Sequence, residues 1–495
     1  MPTSTGAVRG LVVDGVHAFL GIPYAAPPVG PRWLAPPMPP EPSDGVRDAT
    51  AFGASAPQPV STFLLTPQDL VPGDEYLNLN IYTPDPGAAG LPVLFSVHGG
   101  GYVFGSNVSP TSGTARLAAR GMVLVSINYR LGYEGFLPVR GATPNRGVLD
   151  WLAALEWVQE NIAAFGGDPG RVTICGYSSG SAACCVLLGL PQAAGSFAQV
   201  VAMSGTAWNQ LTLAEADAMA ADALADLGVD RSVDGLASVP YARLLEHQDR
   251  VAPILTPVTD PLATFAAVAS GPGLPGPRPG RGWLGPCVDG EIVPRHTGGA
   301  IEAGAGGARP LLVGCTVNEM DSLVGLFVDT VTADAAVAAV GALGLDAGAV
   351  DAWFSAEADR SPAASLGAAL TALTFRLPAL RVAEANTAAG GTSHVYHFTW
   401  RPPTPLGAVH CIDLPFAFDT LADAAGLDLL CGGEPPQALA DDYAGAVSHF
   451  VIDGDPGWPV HDPTDRHVMA FDLPSTVLAD PPHDRVVREV FGSLR

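Results

Sequence analysis

The chain contains no lysine. All 24 of its basic side chains are arginine, set against 49 aspartates and glutamates, and the net charge is −25. So little positive charge excludes a nucleic-acid surface, which needs a clustered basic footprint. A field of this sign repels anionic substrates and favours neutral or cationic ones. Cysteine is also sparse: the seven at positions 175, 184, 185, 287, 315, 411 and 431 have no regular spacing and form no Cys-x-x-Cys pair. Neither a disulfide framework nor a thiolate zinc site is indicated, and the adjacent Cys184 and Cys185 read as small buried apolar residues. No apolar run is read as long enough to cross a bilayer, and the first ten residues lack the charged-then-apolar pattern of a secretory leader. The expectation is a cytoplasmic protein with no membrane span. The lysine-free, Ala-, Gly- and Pro-heavy usage fits a bacterial high-GC codon bias.

What is present is concentrated in Val172-Thr-Ile-Cys-Gly-Tyr-Ser-Ser-Gly-Ser181. Strand-forming residues run into Gly-x-Ser-x-Gly and then into an apolar helical pattern over 182–188, the layout of a nucleophile elbow. Glycines at 176 and 180 let the backbone turn tightly beneath Ser178, and the following helix N-terminus favours negative charge there. Ser178 is the candidate nucleophile. Upstream, the buried strand of residues 91–97 breaks at His98-Gly-Gly-Gly-Tyr102. Three successive glycines bare their N–H groups, so Gly100 and Gly101, with the N–H of Ser179, are the candidate donors to an oxyanion.

A serine near neutral pH needs a base and a group to orient it. Of the eleven histidines, His410 follows the expected strand 393–400 and opens a loop rather than sitting inside an element. His394 and His397 are three apart in that strand, so period-two alternation sends them to opposite faces and they cannot chelate one metal together. His449, His461, His467 and His483 lie in polar C-terminal segments and read as surface or hydrogen-bonded residues. The acid is Glu319, just past the strand 310–314, with Asp321 as the reserve. The order Ser178, Glu319, His410 is that of α/β-hydrolases.

The chain resembles the type-B carboxylesterase family, which includes cholinesterases and bacterial p-nitrobenzyl esterases. The resemblance is carried by Phe19-Leu-Gly-Ile-Pro-Tyr-Ala25, Leu79-Asn-Ile-Tyr-Thr-Pro84, Asn128-Tyr-Arg-Leu-Gly132, Phe165-Gly-Gly-Asp-Pro169, Met203-Ser-Gly205 and Gly285-Pro-Cys-Val-Asp-Gly290. It implies a Ser178–His410–Glu319 triad with Gly100, Gly101 and Ser179 as oxyanion donors. It also implies a structural ion pair between Arg130 and Asp168, and places Tyr177, Ser204 and Asp413 around the site. Tyr177 stands where the family usually has Glu, so support for a charged His410 falls to Glu319 and Asp413. Met320 stands where the family usually has Gly, and Ala56 and Tyr76 replace the cysteines of the family's first disulfide loop.

These readings define an α/β-hydrolase fold, a central mostly parallel sheet flanked by helices, as one elaborated domain over 1–495. The first 84 residues read as antiparallel β-structure, 94–97, 123–127 and 172–175 as central strands, and 148–162 as a helix stopped by Gly166. Residues 271–286 read as a Pro/Gly-rich connection, and 209–265 and 328–381 as helical insertions lining a gorge. The expected activity is hydrolysis of a small-molecule carboxylic ester through an acyl-enzyme, with no metal or organic cofactor. The competing readings are a catalytically silent binding protein of the cholinesterase type, which drops the nucleophile, and an amidase or lactonase using the same triad. Oligomeric state is not legible.

Overall fold

The computed structural model describes residues 1–59, 70–205, 208, 210–251, 260–269, 284–324, 330–423 and 427–494. Eleven strands form one sheet: β1 (Leu11–Val13), β2 (Val16–Pro23), β3 (Asn78–Thr83), β4 (Leu91–Val97), β5 (Val123–Ile127), β6 (Gly167–Tyr177), β7 (Gln199–Met203), β8 (Leu311–Thr316), β9 (Ser393–Phe398), β10 (His467–Phe471) and β11 (Thr476–Ala479). Their spatial order is β11-β10-β9-β8-β7-β6-β4-β5-β3-β2-β1. The run from β10 to β5 is parallel throughout. Antiparallel strands close both edges. The expected mostly parallel sheet with an antiparallel start is therefore what the chain builds.

The parallel strands are buried on both faces, as crossover helices require. On β4, Val93, Phe95 and Val97 enter one core with Val148, Trp151, Leu155 and Val158 of helix α1 (Arg146–Asn161). Leu94 points the opposite way, into a second core with Tyr396 and Phe398. Helix α1 passes into a 3-10 turn and ends at Gly166, whose φ of 85° needs a residue without Cβ.

The insertions are mainly helical where they are described, including Leu213–Leu227, Tyr241–Val251 and Ala333–Gly341, although 209–265 also contributes the short strand Leu211–Thr212, which pairs with Cys287–Val288. Of the expected 271–286 connection, residues up to 283 lie outside the described residues. Two helices of the later insertion, α3 (Pro362–Thr371) and α4 (Leu377–Ala388), join through a five-residue π-helical turn into one rod. This corrects the reading that no apolar run is long enough to span a bilayer: Pro362–Ala388 has the length and apolarity. Its most apolar 18-residue stretch is nevertheless 94% buried within the fold, because a helix enclosed by its neighbours is apolar all round. Toward the C-terminus lie α5 (Gln437–Asp453) and α6 (Pro482–Phe491).

The expected ion pair between Arg130 and Asp168 does not form. Arg130 instead makes a bidentate contact with Asp150, its Nη2 2.7 Å from Oδ1 and its Nε 2.9 Å from Oδ2, with both side chains fully buried. Asp150 lies on the buried face of α1, whereas Asp168 sits at the outer start of β6, where its Oδ1 accepts from the Gly170 N–H. The carboxylate that the family resemblance implied is therefore not the partner of Arg130. Replacing Arg130 with methionine leaves Asp150 buried and unpaired, so denaturant unfolding is expected to show a loss of about 3–5 kcal/mol. The same substitution combined with Asp150→Leu is expected to recover most of that loss.

Candidate active site

In parallel sheets, functional groups gather beyond the C-terminal ends of the strands, at the point where strand order reverses. Here β4 is flanked by β5 on one side and β6 on the other, so the chain changes direction at the β4–β6 boundary. The glycine run follows β4 and Ser178 follows β6, putting both at that boundary. Glu319 follows β8, and His410 comes from the loop after β9.

The elbow is strained in the manner the motif requires. Ser178 has φ 54° and ψ −125°, an unusual conformation for a residue with a side chain. It is the N-cap of α2 (Ser179–Gly189). Close packing dictates the flanking glycines: a Cβ on Gly176 would meet the Gly180 carbonyl oxygen at 2.2 Å, and one on Gly180 would meet the Val97 oxygen at 2.1 Å. The serine is thereby presented at the helix N-terminus, where the dipole favours negative charge.

The structure brings Ser178, His410 and Glu319 into one hydrogen-bonded chain. His410 Nε2 lies 2.9 Å from Ser178 Oγ, and its Nδ1 bonds to Glu319 Oε2. The other carboxylate oxygen of Glu319 accepts from Ser204 Oγ at 2.5 Å and from the Thr316 N–H at 2.7 Å. Ser204, itself at φ 50°, thus buttresses the acid. Asp321, the reserve, is committed elsewhere, accepting from Arg360 Nη1 at 2.7 Å, Asn318 Nδ2 at 2.7 Å and Thr371 Oγ1 at 3.0 Å.

Two contributors escaped the sequence reading. Asn318 ties the two loops together, its N–H donating to the Ala408 carbonyl and its Oδ1 accepting from the Ala408 N–H, both at 3.1 Å. Its place beside Glu319 was the only available signal. Phe375 lays its ring against the His410 imidazole, and nothing in its spacing marked it.

In the glycine loop, Gly100 has φ 114° and Gly101 φ 60°. A Cβ on Gly100 would strike the Phe104 oxygen at 2.0 Å, and one on Gly99 the Tyr177 ring at 2.7 Å. His98 is fully buried and stacks on Tyr129. Burial lowers its pKa to about 4, so it anchors the loop as a neutral ring. The Tyr102 N–H donates to Ser179 Oγ at 3.3 Å, tying the far end of the loop to the elbow.

Tyr177 is buried, its hydroxyl 3.3 Å from Thr111 Oγ1, and it brings no charge to the site. Asp413 is buried close by and accepts from Tyr443. Burial and the neighbouring Glu319 push its carboxyl up to about 7, against the opposing pull of His410. Its support for a charged imidazole is therefore partial at neutral pH. For His410, burial disfavours the charged ring, but the adjacent Cys411 sulfur and Glu319 favour it, and the balance lies well above the ordinary imidazole value. The remaining histidines lie apart from this chain. His397 bonds Asp484 at 2.9 Å, His483 bonds Glu357 at 2.8 Å, and His461 Nδ1 faces the His467 carbonyl at 3.1 Å. His449 is exposed. All seven cysteines are free, with Cys184 and Cys185 buried as expected.

An α/β-hydrolase sheet with a serine held on an elbow against a histidine and a carboxylate defines a serine hydrolase. Comparison with known proteins makes the assignment narrower. The chain matches the carboxylesterase family over residues 1–481 and belongs to that family. It is 31% identical to the para-nitrobenzyl esterase of Bacillus subtilis, over 98% of this chain and 96% of that protein. It is 32% identical to the phenmedipham hydrolase of Pseudarthrobacter oxydans, over 94% of each. Among solved structures, a p-nitrobenzyl esterase superposes with a TM-score of 0.84 at 30% identity, and a Geobacillus stearothermophilus carboxylesterase with 0.83 at 32%, each covering 98% of both chains. The protein is a carboxylic-ester hydrolase.

Proposed function

We propose that Ser178, His410 and Glu319 are the catalytic triad of this esterase, and that the amides of Gly100, Gly101 and Ser179 bind the oxyanion. The observation that carries the reading is the unbroken chain from Ser178 Oγ through both nitrogens of His410 to Glu319. With its proton on Nδ1, facing the carboxylate, His410 leaves Nε2 free to accept the serine proton as Oγ bonds to the ester carbonyl carbon. The carbonyl π electrons move onto oxygen, where the glycine-loop amides and the start of α2 meet the negative charge. Collapse of the tetrahedral intermediate expels the alcohol, protonated by Nε2. Water, deprotonated by the same nitrogen, then releases the acid and restores Ser178.

The substrate is, on this reading, a small neutral or cationic ester, since a protein of net charge −25 disfavours anions. Two relatives are named for p-nitrobenzyl esters and phenmedipham, which makes aryl and benzyl esters the first panel to assay. Seven free thiols fit a reducing cytoplasm, here of a bacterium. A burst of p-nitrophenol from p-nitrophenyl acetate, with no comparable burst of p-nitroaniline from the matching anilide, is expected. Equal bursts would move the assignment to an amidase.

Only neutral His410 can accept the serine proton, and its pKa is raised, so the protonated, inactive form persists to higher pH than for a free imidazole. The acid limb of kcat/KM on a neutral ester is therefore expected to have its midpoint above about 6.5. A midpoint below that value would mean that burial outweighs Glu319 at this ring.

A further inference from the structure

Two hydrogen bonds hold the His410 imidazole, one at each nitrogen. Both lie nearly along one axis of the ring, so they leave its tilt about that axis unfixed. Phe375 supplies the missing constraint. Its ring centroid is 5.0 Å from that of the imidazole, with 39° between the planes, and the side chain is 9% exposed. A flat ring at that separation opposes rotation of its neighbour and keeps water from its face.

The backbone that delivers Phe375 is unusual. It lies in the π-helical turn Ala372–Arg376, between α3 and α4. A π-turn adds one residue to a helical turn and changes the face on which following side chains emerge, and such turns are frequent at functional sites. Both ends of this one are pinned. Thr371, just before it, accepts from the Met320 N–H at 3.0 Å and donates to Asp321 at 3.0 Å, which joins it to the loop bearing Glu319. Arg376, at its last position, bonds His483 and lies 3.8 Å from Asp484. Asp484 in turn binds His397 of β9, the strand that leads to His410. The segment holding Phe375 is thus fastened to the loop that carries the acid and, through Asp484, to the strand that leads to the base.

We propose that Phe375 is a positioning residue for His410, its ring fixing the tilt of the imidazole between Ser178 and Glu319 and shielding it from solvent. The inference rests on His410 being the base. Phe375→Leu keeps apolar bulk but loses the flat face. A misplacement of the base on the order of 1 Å costs up to about 100-fold, so kcat on p-nitrophenyl acetate is expected to fall about 10- to 100-fold with KM little changed. Water reaching the charged ring stabilises it, so the acid limb of the pH profile should also move to higher pH. Phe375→Tyr, which keeps the ring, is expected to retain kcat within about threefold, the range of ordinary context effects.

Urea unfolding of each variant separates misfolding from misplacement, and Phe375→Met serves if the leucine variant is unstable. An unchanged kcat and pH profile in a folded leucine or methionine variant would overturn the proposal. So would a rise confined to KM, which marks a wall of the substrate pocket. His410→Ala is the control for the underlying reading: if it stays active the base assignment fails, and if it is inactive while the Phe375 variants are unaffected, only the positioning role fails.

Discussion

Ser178→Ala is expected to lower kcat by at least about 10⁴-fold and to remove burst kinetics entirely, because without Oγ no acyl-enzyme can form. The residual rate should resemble what bound water achieves with the oxyanion donors alone. His410→Ala is expected to fall to about the same level, and the double variant no further, since members of a triad act as one unit. The fold should survive the serine change. Ser178 already occupies a strained conformation, and alanine asks no more of the backbone than serine does. Retention of a burst in the folded Ser178→Ala protein would place the nucleophile elsewhere.

The second large effect concerns the acid. Oε1 of Glu319 is committed to Ser204 Oγ and the Thr316 N–H, and Oε2 faces His410 Nδ1. In Glu319→Gln the amide oxygen keeps the two donors, which leaves the amide nitrogen pointing at Nδ1. That nitrogen can only donate. His410 is then held with its proton on Nε2, the tautomer that cannot accept from Ser178, and a loss of kcat approaching about 10⁴-fold is expected, as for the corresponding change in serine proteases. Asp321→Asn should leave kcat within about threefold, the scale of indirect effects, because Asp321 contacts Arg360, Asn318 and Thr371 but not His410. Steady-state kinetics on one aryl ester compares the two variants, and the reverse ranking would transfer the acid's role to Asp321.

Much of this enzyme could be read from its residues because the signals were local. The elbow announces itself in Gly176-Tyr-Ser-Ser-Gly180, where only glycine fits against Gly180 and Val97. The glycine loop, the three central strands and the Gly166 stop are likewise matters of backbone conformation over a few residues. The order Ser178, Glu319, His410 pointed to residues that the structure brings into one hydrogen-bonded chain, because each follows a strand and strand ends in a parallel sheet converge.

Contacts between distant segments were another matter. Asp150 and Asp168 are equally plausible partners for Arg130 in the linear chain, and only the face of α1 on which Asp150 lies decides between them. The apolar length of Pro362–Ala388 has two readings, core or membrane, and only the fold shows that its most apolar stretch is buried against the rest of the chain. Phe375 lies in a π-turn and meets His410 only in the folded chain, and Asn318 bridges two loops that lie 90 residues apart. The sequence by itself determined the fold and the carboxylesterase class, and it singled out Ser178, Glu319 and His410 as candidates, since backbone propensities and turn geometry act over short range. The tertiary structure alone decided which charges pair, what holds the imidazole and that its neighbours raise its pKa against the effect of burial, because those energies depend on groups brought together only by folding.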